Sequence, residues 1–357
     1  MVPAPPQLSV DYVEMYVEDL DAAADPWIRQ YGFTVIGARE STGDRGLALR
    51  HREITLVLTQ ATSDVHPAWS YVRLHGDGVA DIALRTDGVD AVFSAAVAAG
   101  AHPVARPTSH SGRGPIRTAA ISGFGDVVHS LAERAPGDTL GLPSGFRSVT
   151  AARAPSTTDA GLVDIDHVAV CLNAGDLDHT TEFYRRALGF ELIYSDLVEL
   201  GRQAMASKVV RSACGQVTFT LLESAPDSEA GQIDMFLKDH NGPGVQHLAF
   251  STPDAVRAVT SLSARGVGFL ATPARYYDLL SSRITPGAHS LDDLRSTNLL
   301  VDEDHAGQMF QIFTSTTHPR RTLFFEIIER QGAGTFGNAN IKALYEAVEI
   351  EGANRGA

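Results

Sequence analysis

Two runs with strand-like spacing open two matching stretches of the chain. In Asp11-Tyr12-Val13-Glu14-Met15-Tyr16-Val17 the apolar residues fall on every second position, and Asp166-His167-Val168-Ala169-Val170-Cys171-Leu172 repeats the frame with both faces apolar around His167. Each run leads through Asp-Leu-Asp (Asp19 to Asp21; Asp176 to Asp178) into a helical stretch, residues 22–31 and 179–188, that closes on Tyr31-Gly32-Phe33 or Leu188-Gly189-Phe190. A second pair follows, Gly76-Asp77-Gly78-Val79-Ala80-Asp81 against Gly242-Pro243-Gly244-Val245-Gln246-His247, each running into a helix-like stretch at 89–100 or 255–266. A third pair closes each half, Val128-His129-Ser130-Leu131-Ala132-Glu133-Arg134 against Phe324-Phe325-Glu326-Ile327-Ile328-Glu329-Arg330. Three landmarks in the same order predict a duplicated domain. Residues 135–162, rich in Pro, Gly, Ser, Thr and Ala without apolar period, read as a linker between a first domain (1–134) and a second (163–357).

Within each half the pattern is strand, helix, several strands, then again strand, helix and closing strands. The helices are too few to cover both faces of a parallel sheet, which predicts an α+β fold of curved mixed sheets around a cavity, two βαβββ-like units per half. Gly-rich turns such as Gly242-Pro243-Gly244 fit no nucleotide fingerprint. Near the end, Ile341, Leu344, Tyr345 and Val348 have helical spacing within 338–349, with Asn338 or Asn340 as a cap.

Composition narrows the chemistry. The 357 residues, 44% hydrophobic and 20% charged, suit about two globular domains. A net charge of −14 without a basic cluster argues against nucleic acid and anionic membrane as partners. The N-terminus has no signal-peptide pattern and no apolar run approaches a membrane span, so a cytoplasmic protein is expected. Two cysteines, Cys171 and Cys214, support neither a disulfide framework nor a thiolate metal site. Metal chemistry would have to use imidazole and carboxylate.

The comparison of the halves supplies such a set. At the three landmarks the second half carries His167, His247 and Glu326, where the first carries Tyr12, Asp81 and Ser130. Each of the three lies mid-strand among apolar residues, so alternation turns all three inward if those faces line the cavity. A buried carboxylate without a cation is costly. Spacings of 80 and 79 residues put each ligand on a separate strand. Two imidazoles and one carboxylate form the facial set of non-haem Fe(II) oxygenases, with three positions open. Zinc in a hydrolase uses similar ligands, but no His-Glu-x-x-His helix accompanies them here.

The segments Gly244-Val245-Gln246-His247, Asp302-Glu303-Asp304-His305, Phe310-Gln311-Ile312-Phe313-Thr314, Phe324 to Arg330 and Asn340-Ile341-Lys342-Ala343-Leu344 resemble the 4-hydroxyphenylpyruvate dioxygenase family over residues 11–349. The resemblance implies the vicinal-oxygen-chelate fold and Fe(II) held by His167, His247 and Glu326. It further implies a substrate, 4-hydroxyphenylpyruvate, that brings its own keto acid, so O2 is the only co-substrate and no separate 2-oxoglutarate is needed. Oxidative decarboxylation followed by ring attack gives homogentisate, whereas benzylic hydroxylation gives 4-hydroxymandelate. The homogentisate-forming members typically carry Pro-x-Asn-Glu where this chain reads Thr220-Leu221-Leu222-Glu223, and Gly-Phe-Gly where it reads Gly334-Thr335-Phe336-Gly337. Both departures are similar to the mandelate-forming branch, which implies a link to 4-hydroxyphenylglycine supply for peptide antibiotics. Homogentisate formation stays as the alternative reading.

Further positions follow from the same resemblance. Ser207, Thr220, Gln232, Gln246 and Gln311 match pocket or ligand-supporting positions, and Phe325 and Phe336 match aromatics on either side of the substrate ring. Asn340, Ile341 and Tyr345 fall on a C-terminal helix that covers the cavity mouth, and the first domain is expected to act as scaffold and homodimer surface. Two readings outside the branch remain open. An extradiol-type dioxygenase or isomerase on the same fold would act on a catechol or thioester without CO2 release, and a metal-free sequestering protein would take up no Fe(II).

Overall fold

The helices expected at 22–31 and 179–188 begin two residues early because backbone donors at their starts find carboxylates. In the computed structural model, which describes residues 5–111, 114–138, 141–149, 159–337 and 340, Asp19 accepts from the amides of Asp21 and Ala22, both at 3.0 Å. The first helix, α1 (Leu20–Arg29), therefore follows β1 (Ser9–Tyr16) directly. The chain continues through β2 (Thr34–Glu40), β3 (Asp44–His51), β4 (Ile54–Ala61), α2 (Pro67–His75), β5 (Gly78–Arg85), α3 (Val89–Ala98), β6 (Pro103–Ser109), β7 (Pro115–Ser122), β8 (Val128–Arg134) and a short β9 (Arg147–Ser148). The second copy runs β10 (Ile165–Cys171), α4 (Leu177–Leu188), β11 (Glu191–Leu200), β12 (Gln203–Arg211), β13 (Thr218–Ser224), α5 (Gln232–His240) and β14 (Gly244–Ser251). It ends with α6 (Ala255–Ala264), α7 (Ala274–Leu280), α8 (Leu291–Thr297), β15 (Leu300–Asp304), β16 (Gly307–Phe313) and β17 (Phe324–Gln331). Gly189, left-handed at φ 69°, stops α4, while Glu223 accepts from the Leu177 amide at its start, 3.0 Å away.

Each copy is one curled mixed sheet. The first has strand order β6-β7-β8-β5-β1-β4-β3-β2-β9 and the second β11-β12-β13-β10-β14-β17-β16-β15. In both, the opening strand of each unit pairs in parallel with the closing strand of that unit, β1 with β4 and β5 with β8, then β10 with β13 and β14 with β17. The units join through the antiparallel pairs β1/β5 and β10/β14. The α+β expectation therefore holds. The helices α2, α5, α7 and α8 were not expected. No helix among the described residues is long and apolar enough to cross a membrane.

The copies pack reciprocally. Trp27 of α1 lies 4.7 Å from Phe325 and 6.1 Å from Phe250 of the second sheet, and Tyr31 lies 5.7 Å from Phe325. At the mirrored place Tyr184 of α4, fully buried, shares a 2.7 Å hydrogen bond with His129 of the first sheet. Burial lowers His129 to about 4, so the imidazole is neutral there. A further duplicated device caps the second helix of each copy: Glu133 accepts from the Val89 amide at 3.3 Å, and Glu329 accepts from the Ala255 amide at 2.7 Å.

Part of the stretch expected as a linker belongs to the first sheet. Leu142 and Phe146 are buried against Ala48 and Val57 inside the curl, and Arg147 and Ser148 pair with β2. Gly46 leaves room for them: a Cβ there would stand 2.9 Å from the Phe146 ring. Beside this plug, Glu14 and Asp81 face each other across β1 and β5. Burial, then the charge of Glu14, raises Asp81 to about 7. A carboxyl raised in the fold stabilises it below the unfolded value near 4, and that contribution is lost as pH rises through 7. Asp81→Asn, which keeps an oxygen to accept from the Ser130 amide now 2.9 Å away, should flatten this dependence. Urea unfolding at pH 5 and 8 should show the parent losing roughly 2–3 kcal/mol more than the variant; equal losses would overturn this assignment.

Candidate metal centre

Register brings the three expected ligands together. His167 on β10 pairs with Ala249 on β14, and Ala249 pairs with Glu326 on β17, so the imidazole and the carboxylate flank a methyl group. His247 sits two positions before Ala249, opposite Ala169. The Glu326 Oε2 is 3.4 Å from His167 Nε2 and 3.3 Å from His247 Nε2, and all three side chains are buried. The other ring nitrogens are held from outside: His167 Nδ1 is 2.8 Å from Asp166 Oδ1, and His247 Nδ1 is 3.3 Å from Gln246 Oε1. With each Nδ1 so engaged, both Nε2 atoms converge on one carboxylate oxygen, as a divalent cation requires.

The electrostatics of the metal-free site point the same way. Burial opposes charge on Glu326, but the hydrogen bonds and charges of the two histidines outweigh it and hold the carboxyl down at about 2. Burial likewise opposes charge on His167, yet Asp166 and Glu326 lift the imidazole to about 9. His247 moves the other way, because burial outweighs its contact with Glu326. Without a metal, a proton on His167 stands in for the cation that the carboxylate demands. The residues present thus fit Fe(II), with His167, His247 and Glu326 as its holders.

The walls around the centre are aromatic and apolar. Phe336 lies 5.7 Å from His167 and Phe313 lies 5.7 Å from His247, while Phe324 stacks on His247 at 5.0 Å. Ala169, Cys171, Val198, Met205 and Leu222 form a buried cluster inside the curl, which α5 closes with Ile233 and Phe236. Ser207 and Thr220 share faces with Met205 and Leu222 by alternation, and the buried Thr220 hydroxyl has no hydrogen-bond partner. Gln311 is buried on β16 against Gly337, where a Cβ would collide with its amide. Asn340 is buried, with Oδ1 accepting from the Tyr276 hydroxyl at 3.0 Å and Nδ2 unpartnered.

Two expected residues are not brought to the centre. Phe325 points away from Glu326, since adjacent strand residues face opposite sides, and it packs on Trp27 and Tyr31 as the mirror of His129. Beside Phe336, which the sequence reading placed here, Phe313 is an aromatic next to His247 that it missed; alternation with Gln311 was the signal available. Gln232 opens α5 with its side chain exposed. Ile341 and Tyr345, and with them the covering helix, lie outside the described residues.

A second group, Asp254, His289 and Glu329, also offers ligand atoms within 4.8 Å of one another. Here the Glu329 oxygens already accept from Ala255 N, His289 Nε2 at 2.8 Å and Gln331 Nε2 at 2.6 Å, and the cap is duplicated at Glu133. At the first-copy counterpart of the metal centre, Asp81 accepts from the Ser130 amide and Tyr12 replaces the first histidine. No ligand set forms there.

Fold and site together define a protein of duplicated vicinal-oxygen-chelate barrels, with a candidate metal centre in one copy. The family described as Hydroxyphenylpyruvate dioxygenase, HPPD, N-terminal, matches residues 7–146, and the Glyoxalase/Bleomycin resistance protein/Dioxygenase superfamily matches residues 164–312. A 4-hydroxyphenylpyruvate dioxygenase from Aspergillus fumigatus is 33% identical over 97% of this chain and 93% of its own length. One from Dictyostelium discoideum is 31% identical over 97% and 98%. Among solved structures, a triple mutant of 4-hydroxymandelate synthase from Streptomyces coelicolor is 42% identical and superposes with a TM-score of 0.87 over 98% of this chain and 99% of that one. The chain belongs to the 4-hydroxyphenylpyruvate dioxygenase family.

Proposed function

We propose that the chain converts 4-hydroxyphenylpyruvate and O2 into 4-hydroxymandelate and CO2, using Fe(II) held by His167, His247 and Glu326 and no separate 2-oxoglutarate. The observation that carries the choice of product is the wall made by Thr220 and Leu222. Where the homogentisate-forming branch has Pro and Asn, this chain has a hydroxyl without a partner and an isobutyl group buried with Met205 and Cys171. An apolar residue in place of an amide removes a polar anchor from that wall, and the substrate ring is then free to settle where its benzylic carbon rather than its ring meets the oxidant. A shift of about an ångström is enough to choose between the two.

When bound, the ferrous ion supplies dioxygen activation and the oxidative decarboxylation of the keto acid. The remaining work falls to the chain. Phe313 and Phe336 flank the histidines and give the substrate ring an apolar slot. Thr220 can donate to a substrate oxygen, and Gln246 keeps His247 oriented. The reading extends to supply of a 4-hydroxyphenylglycine precursor. Incubation with 4-hydroxyphenylpyruvate, Fe(II) and air, followed by chromatography, should yield 4-hydroxymandelate. Homogentisate, the product that the names of the 30–33% identical relatives suggest, would overturn the choice of branch.

A further inference from the structure

Arg330 lies on the same face of β17 as Glu326 and uses its whole guanidinium. Its Nε and Nη2 donate to Asp166 Oδ2 and Oδ1 at 2.7 and 2.9 Å, and that Oδ1 is the atom that holds His167 Nδ1 at 2.8 Å. Its Nη1 donates to the carbonyls of Ala333 and Thr335 at 3.1 and 2.6 Å, and its plane covers the Phe336 ring at 4.9 Å. One side chain therefore touches the support of a metal ligand and the support of an aromatic wall.

The first copy contains the same clamp without the chemistry. Arg134 grips Asp11 through Nε and Nη2, both at 2.6 Å, and donates to the carbonyls of Gly141 and Leu142, so it pins the plug as Arg330 pins residues 333–336. There the neighbouring residue is Tyr12, not a histidine. Holding the following segment is thus common to both clamps, and the second copy adds an imidazole and a facing ring to it. The pairs also differ in surroundings. The side chains of Arg134 and Asp11 are 1% and 4% exposed, against 19% and 14% for Arg330 and Asp166, although all four line one polar crevice of about 810 Å³ between the copies. Water can reach Asp166 if Arg330 is removed, so variants here should fold.

We propose that Asp166 and Arg330 are a positioning pair for the metal centre: Asp166 fixes the His167 ring with Nε2 toward Glu326, and Arg330 locks Asp166 and Phe336 in one geometry. A carboxylate that orients an imidazole and raises its basicity contributes about 10- to 100-fold in metal affinity. The inference rests on the proposed role of His167 as a ligand.

Anaerobic titration of the metal-free full chain with Co(II), read by visible absorption, separates the possibilities. Asp166→Asn should weaken Co(II) binding by about 10- to 100-fold while leaving the KM for 4-hydroxyphenylpyruvate at saturating Fe(II) nearly unchanged. Arg330→Met should weaken the metal similarly and also raise KM by about tenfold, since Phe336 loses the guanidinium stacked on it. Arg330→Lys should restore part of the metal affinity and not the KM. Arg134→Met should lower the melting temperature and leave the Co(II) affinity of the folded protein as in the parent. Parental Co(II) affinity in Asp166→Asn and Arg330→Met, or equal losses in Arg134→Met, would overturn the pair. A parent that binds Co(II) stoichiometrically yet forms no product would sink the proposed reaction and leave the pair standing; a parent that binds none would sink both.

Discussion

Glu326→Ala is expected to abolish both product formation and the thermal stabilisation that added Fe(II) gives the parent. The carboxylate is the one negative ligand, it is 2% exposed, and both Nε2 atoms stand 3.3–3.4 Å from its Oε2. Without it, two imidazoles remain on a wall with no charge to balance a dication. Loss of several kcal/mol of cation binding corresponds to a fall in turnover on the order of 10³ or more. Glu326→Gln keeps the volume and the hydrogen-bonding oxygen but not the charge, so the metal-free chain should stay folded while still losing the Fe(II)-dependent rise in melting temperature. Product formation by Glu326→Ala within tenfold of the parent would mean that the cation, or its site, has been misassigned.

The reason this centre was legible in sequence lies in the duplication. No local motif joins His167, His247 and Glu326, but each has a counterpart at the same frame in the first copy, and the three differences fall on neighbouring strands. Strand alternation then gave their direction, and β10, β14 and β17 proved to be adjacent, with Ala249 between two of the ligands. What was lost is what depends on contacts between distant residues. Phe325 was placed in the pocket from resemblance, although alternation with Glu326 already argues for the opposite face, where Trp27 of the other copy meets it. Leu142 and Phe146 sit in a stretch of turn-forming composition, and nothing local says that Gly37 and Gly46 open a slot for them in the first sheet. Gln232 is polar at a helix start, a setting that fits capping as well as binding; its exposure separates the two.

The plugged first copy leads to the other large effect. Arg134→Met should destabilise the chain by about 3–5 kcal/mol, because it removes the bidentate partner of an Asp11 carboxylate that is only 4% exposed. The same change removes donors from the carbonyls of Gly141 and Leu142 and from Asp138, 2.8 Å from Nη1, so the plug loses its attachment as well. Against a typical total of about 5–15 kcal/mol, such a loss is a large fraction, and the melting temperature should fall by roughly 10 °C. The double variant Asp11→Asn with Arg134→Met should recover part of the loss, since a neutral amide replaces the unpaired charge. Arg330→Met, whose partner Asp166 is 14% exposed against 4% for Asp11, should cost distinctly less stability while affecting the metal more. Equal stability losses for the two arginine variants would show that burial does not set the cost of breaking these clamps, and would remove the physical ground for reading one copy as scaffold and the other as active site.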